Sequence, residues 1–175
     1  MKREFTDKGA TFSPCRTWRY RLWRVWDAGL PPMAAGMLNP SVADENNPDR
    51  TVSNQINRAD GMGYGSLVVF NAFSFVSPSP ETMKMRLAEG FDIIGPQTDV
   101  YTRAILTEVR NRNGLVTVGW GNDGNISGRG AFIAALAAEL QIPLFSLGTT
   151  ASGQPRHPRG VAKSQPYVPW HAPVF

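Results

Sequence analysis

The stretch Ser66-Leu67-Val68-Val69-Phe70 runs apolar after its serine, with no polar residue alternating through it. A strand wet on one face alternates; one covered on both faces does not. This run therefore demands a layer on each side of whatever sheet it joins. Residues 33–38, 115–118 and 143–147 read the same way. Helical stretches fall between them. A polar segment, 44–47, leads through Pro48-Asp49 into a helix expected over roughly 49–60. Ser79-Pro80-Glu81 supplies an N-cap with proline at the first helical position, opening a helix to about 89. Val100, Tyr101, Ala104, Ile105 and Val109 stand near helical spacing in a helix over about 97–112, and 131–140 is alanine-rich. Strands alternating with helices predict an α/β domain, a three-layer α/β/α arrangement around a mainly parallel, roughly four-stranded central sheet.

Residues 17–26 alternate charged and aromatic side chains and read as a further strand with one wet face, its Trp18, Trp23 and Trp26 packing against the sheet edge. Gly61-Met62-Gly63-Tyr64-Gly65 has the look of a phosphate-binding loop but precedes a strand instead of joining a strand to a helix, so it reads as a helix stop and turn. With 175 residues, 42% apolar and 18% charged, the chain reads as one domain over 1–175, with an N-terminal strand region at 1–30 and an irregular tail at 148–175. No run is long enough to cross a bilayer and the first residues carry no apolar signal region, which makes the cytoplasm the expected compartment. Cys15, the single cysteine, excludes an intrachain disulfide framework and argues against a cysteine-held metal; it reads as structural. No cofactor and no metal site is expected, and the chain is expected to be monomeric.

Charge is unevenly placed. Residues 1–27 carry seven Lys/Arg against three acids, and 148–175 carry Arg156, Arg159 and Lys163 with no acid. Basic ends flanking a middle of eight Lys/Arg against eleven acids over 28–147 are what a polyanion-binding face would need, or else simply solvated termini. Ligands of open α/β sheets bind beyond the carboxyl ends of the strands. That rule singles out Asn39, Asn71, Trp120 and the loop holding His157.

Four segments in this order, GMLNPS (36–41), LVVFNAF (67–73), VTVGWG (116–121) and RHPRGVA (156–162), are similar to motifs of the uracil-DNA glycosylase superfamily, in its Asn-Pro form. The wider pattern, with Asp44 after NPS and RHP near the end, also resembles a bacterial and phage family known only as a domain of unknown function. The glycosylase resemblance implies an enzyme that flips a pyrimidine out of DNA and hydrolyses its N-glycosidic bond. On it, Asn39 positions the attacking water, Pro40 and Ser41 border the base, and His157 donates to the base oxygen. Asn71 reads the base edge, and Phe73, Tyr64 or Trp120 stacks on it. Val161 fills the gap left in the duplex, while Arg156, Arg159 and Lys163 hold phosphates. Asp44 reads either as the N-cap of a turn or as a catalytic base. Each residue also has a plainer role: Asn71 as a turn former after a strand, His157 as a surface residue before proline. The loop departs from the superfamily's usual His-Pro-Ser-Pro-Leu, placing the smaller Val161 at the wedge. Ser41 stands where uracil-specific enzymes carry an aromatic that crowds C5 of the base. An open pocket for C5-modified pyrimidines, such as hydroxymethylated or glucosylated cytosine of phage DNA, follows as an expectation, and with it a role in antiphage defence. Excision of uracil or of mismatched bases, hydrolysis of free nucleosides or nucleotides, and non-catalytic recognition of modified bases are the alternatives.

Overall fold

The computed structural model describes residues 4–41 and 50–173. Asp44, and the stretch around it, lie outside the described residues. Among the described residues seven strands join one sheet: β1 (Asp7–Phe12), β2 (Arg19–Val25), β3 (Pro32–Met37), β4 (Ser66–Asn71), β5 (Leu115–Val118), β6 (Leu144–Ser146) and β7 (Val168–Trp170). Their spatial order is β1-β2-β4-β3-β5-β6-β7. Helices α1 (Arg50–Gly61), α2 (Pro80–Ala88), α3 (Thr98–Asn111) and α4 (Arg129–Glu139) complete the described regular structure, with a 3-10 stretch over Asn122–Gly128.

This overturns the expected mainly parallel, roughly four-stranded sheet. The sheet is mixed: β4-β3, β3-β5 and β5-β6 are parallel, while β1-β2, β2-β4 and β6-β7 are antiparallel. The physical reason lies in the edges. β1 (DKGATF) and β7 (VPW) have neither an apolar run nor alternation, and they become strands by completing the hydrogen-bond ladders of β2 and β6. β2 was expected to be wet on one face, but Arg19 and Arg24 are 3% and 1% exposed. The Arg24 guanidinium donates to the Trp23 carbonyl at 2.6 Å, so a charged residue in an alternating pattern here marks an internally satisfied side chain and not a solvated one.

Two cores form, one per face of the sheet. Met33, Ala35, Leu67 and Val69 pack with Val52, Ile56 and Ala59 of α1. Ala34, Val68, Phe70 and Val116 pack on the other face with Ile105 and Val109 of α3 and Ile133 of α4. Neighbouring residues of β3 and β4 thus serve opposite cores, which is why those runs do not alternate. The Ser79 cap forms, its Oγ accepting from the Thr82 amide at 3.2 Å, and α1 stops at Gly61 with Gly63 at φ 86° in the turn beyond. The three tryptophans separate: Trp23 packs against the α3 side and Trp26 against the α1 side, while Trp18 stacks on Phe91 at 5.8 Å. Among the described residues no helix is long and apolar enough to cross a membrane.

Candidate functional site: a basic cleft beyond the strand ends

β3 and β4 run parallel with Met37 opposite Asn71, so the residues that follow them emerge side by side. Their exits are tied together. The Asn39 side-chain nitrogen donates to the carbonyls of Pro40 (3.1 Å) and Ser77 (3.4 Å), and the Ser77 amide donates to the Pro40 carbonyl (3.0 Å). The β3 run ends on Asn-Pro because this amide laces one strand end to the next. With its N–H groups engaged, Asn39 retains Oδ1 as its remaining polar atom, an acceptor.

Asn71 is 3% exposed, and its Nδ2 has no hydrogen-bond partner among the described residues. Leaving a buried amide donor unpaired costs about 1–3 kcal/mol. Such a group is rare in a settled core and calls for a partner, whether an ordered water or a ligand atom.

The third arrival is the loop after β6. Gly119, just past β5, has Pro158 and Arg156 so close that a Cβ placed on it would lie 3.0 Å from the proline Cδ and 3.1 Å from the arginine carbonyl. Glycine at that point lets the His157-Pro158 segment cross the strand end. There the Arg159 backbone N–H donates to His157 Nδ1 at 3.0 Å. A neutral imidazole accepting at Nδ1 carries its proton on Nε2.

Asn39, Asn71 and His157 all line one cleft of about 1560 Å³. Ser41, Arg159, Val161 and Lys163 line it too. Its described lining holds five arginines and lysines (Arg19, Arg50, Arg58, Arg159 and Lys163) and no carboxylate, a field that attracts anions.

Other expected site residues lie elsewhere. Phe73 and Trp120 are 0% and 2% exposed in the core; the Trp120 indole donates to Gln154 Oε1 at 3.2 Å and meets Trp170 edge-on at 5.5 Å. Neither lines the cleft, and Tyr64 packs into the α1-side core instead. Both Phe73 and Trp120 sit on the α3–α4 side because a residue following a strand end can turn into the core as readily as toward solvent. Pro40 is buried and contributes its carbonyl, while Arg156 is exposed outside the cleft lining. Cys15 is exposed and away from the cleft, not buried structure; hydrogen bonds from Ser13 and Thr17 lower its thiol to about 7.

Two features had no signal in the motifs. One is the polar side of α1, and the other is Tyr167, the aromatic of the described cleft lining. Burial pushes the Tyr167 phenol above its ordinary range, keeping it a donor to Gln55 Oε1 at 2.5 Å. Arg58 joins these two features, its guanidinium donating to the carbonyls of Ala162 (2.7 Å), Gln165 (2.9 Å) and Lys163 (3.3 Å). A spacing of amphipathic residues in α1 carries the first; the second lies in a proline-rich tail with no periodicity to read.

Fold and site together define a mixed-sheet protein with helices on both faces and a basic cleft at the carboxyl ends of its parallel strands. The chain belongs to the family described as protein of unknown function (DUF1643), which it matches over residues 19–159. No curated protein and no solved structure matches it.

Proposed function

We propose that this chain is a DNA glycosylase: it draws a pyrimidine out of DNA into the cleft and hydrolyses its N-glycosidic bond, leaving an abasic site. The observation that carries the reading is the buried Asn71 side-chain nitrogen, without a hydrogen-bond partner among the described residues, in a cleft lined by cationic side chains. A primary amide presents a donor and an acceptor side by side, as pairing with a base edge requires.

In this reaction the C1′–N bond lengthens first, and positive charge gathers on the sugar while negative charge gathers on the departing base. Asn39 Oδ1 accepts from a water and aims its oxygen at C1′; His157 Nε2–H donates to the base oxygen that takes up the charge. The water oxygen bonds to C1′, the base leaves with the bonding pair, and the proton lost by water balances its charge. Tyr167 is the aromatic available to the base, and Val161, Arg159 and Lys163 face the opened duplex. Ser41, half-buried in the cleft lining, leaves room at C5, so the proposed substrates are C5-modified pyrimidines of phage DNA and the proposed role is antiphage defence. The reading implies a monomer acting on DNA in the cytoplasm.

The test is abasic-site detection on duplexes bearing uracil, thymine mismatches, 5-hydroxymethylcytosine and its glucosylated form. Cleavage of at least one is expected. Asn39→Ala should slow its single-turnover step by about 10²–10³ with DNA affinity nearly unchanged. Binding to these duplexes without abasic sites on any would make the chain a recognition module instead.

A further inference from the structure

Helix α1 buries Val52, Ile56 and Ala59 against the sheet. On another side it turns Arg50, Asn54 and Asn57 toward the cleft at positions i, i+4 and i+7. None of these three side chains has a hydrogen-bond partner among the described residues. Its one described acid, Asp60, is not part of the cleft lining. Arg50 stands in the first turn, where the helix dipole disfavours a cation and attracts an anion. Across the cleft stand Arg159 and Lys163, both exposed. Between the two walls lies Arg58, whose three bonds to the carbonyls at 162, 163 and 165 hold the loop at a set distance from the helix.

The dimensions suit a polymer. Twelve residues make a helix of about 18 Å, and phosphates succeed one another every 3.4 Å or so along one strand of a duplex. The 1560 Å³ of the cleft also exceeds the range of roughly 300–1,000 Å³ usual for a small-molecule pocket.

We infer that α1 is one jaw of a nucleic-acid clamp: Arg50 pairs with a phosphate, Asn54 and Asn57 hydrogen-bond the same backbone, and the 159–163 loop closes the other side. Arg58 is a positioning residue that spaces the jaws. The inference rests on the nucleic-acid reading of the cleft, but not on the reaction assigned to it.

Affinity of the full chain for a fluorescent DNA duplex, measured across a salt series, tests it. Each phosphate neutralised adds about 0.9 to the slope of log affinity against log salt. Arg50→Ala should therefore make the slope shallower by about 0.9. Asn54→Ala and Asn57→Ala should weaken binding about two- to tenfold with the slope unchanged. Arg103→Ala, whose guanidinium pairs with Glu139 away from the cleft, should change neither. An unchanged slope in Arg50→Ala removes α1 from the binding path even if abasic sites form. The expected slope change without abasic sites supports the clamp and ends the glycosylase reading. Failure of the wild-type chain to bind the duplex overturns both.

Discussion

Asn71 shows what a single side chain reveals. Its apolar neighbours in β4 announce a buried strand, and an amide at the end of such a strand reads equally as turn or as ligand contact. Burial at 3% with Nδ2 unpaired among the described residues argues against the turn: a turn former would spend its amide on nearby backbone, as Asn39 does. The near-isosteric Asn71→Leu removes the unpaired group, so urea denaturation should show stability unchanged or raised by about 1 kcal/mol, while base release falls by at least about 10²-fold. A loss of stability of 2 kcal/mol or so would instead give Asn71 a structural role. Asn39 is legible from Asn-Pro at a strand end; the inward turn of Trp120 and Phe73 is not, because nothing local tells whether an aromatic past a strand turns inward.

At the scale of elements, helices were more legible than strands. The Ser79-Pro80 signal stands three residues from the donor it captures, and α1 and α3 carry their buried stripes within their own sequences. β1 and β7 exist through partners at the two edges of the sheet, and their sequences hold little of that information. The loop carrying His157 is likewise placed from outside, by Gly119 beneath it and Arg58 beside it. Gly119→Ala sets a methyl at 3.0–3.1 Å from two loop atoms; the loop must shift by a few tenths of an ångström, and a shift of that kind at a reacting centre costs rate more than stability. A fall in single-turnover rate of about tenfold or more, with thermal midpoint nearly preserved, is expected. A rate equal to wild type would show that the loop's seat on β5 does not govern His157.

Across the whole molecule, the cleft draws on the end of β3, the end of β4, helix α1 and the tail, segments that meet through the crossovers between parallel strands. On the glycosylase proposal selectivity belongs at this scale, because Ser41 would act through the space that a small side chain leaves in the cleft. Ser41→Tyr adds a ring to the cleft, and a ring decides which base enters, whereas one methylene discriminates only about 10–200-fold. Base release from matched duplexes bearing uracil, 5-hydroxymethylcytosine and its glucosylated form should favour the modified bases in wild type and uracil in Ser41→Tyr. Fastest cutting of uracil in both proteins would rule out an open C5 pocket.

The doubly covered strands, the spans of α1 to α4 and the polar residues past β3 and β4 follow from the sequence alone, because burial period, caps and strand ends are local properties of the chain. Tertiary structure alone decided the mixed sheet, the burial of Arg19 and Arg24, the separation of the tryptophans and the joining of Tyr167 to α1. These depend on contacts distant in sequence: a ladder to complete, the Gly9 carbonyl 3.4 Å from the Arg24 guanidinium, the tail carbonyls that receive Arg58, or the core clusters that Trp23 and Trp26 join. A local pattern records that a residue needs a partner, and only the folded chain determines which partner arrives.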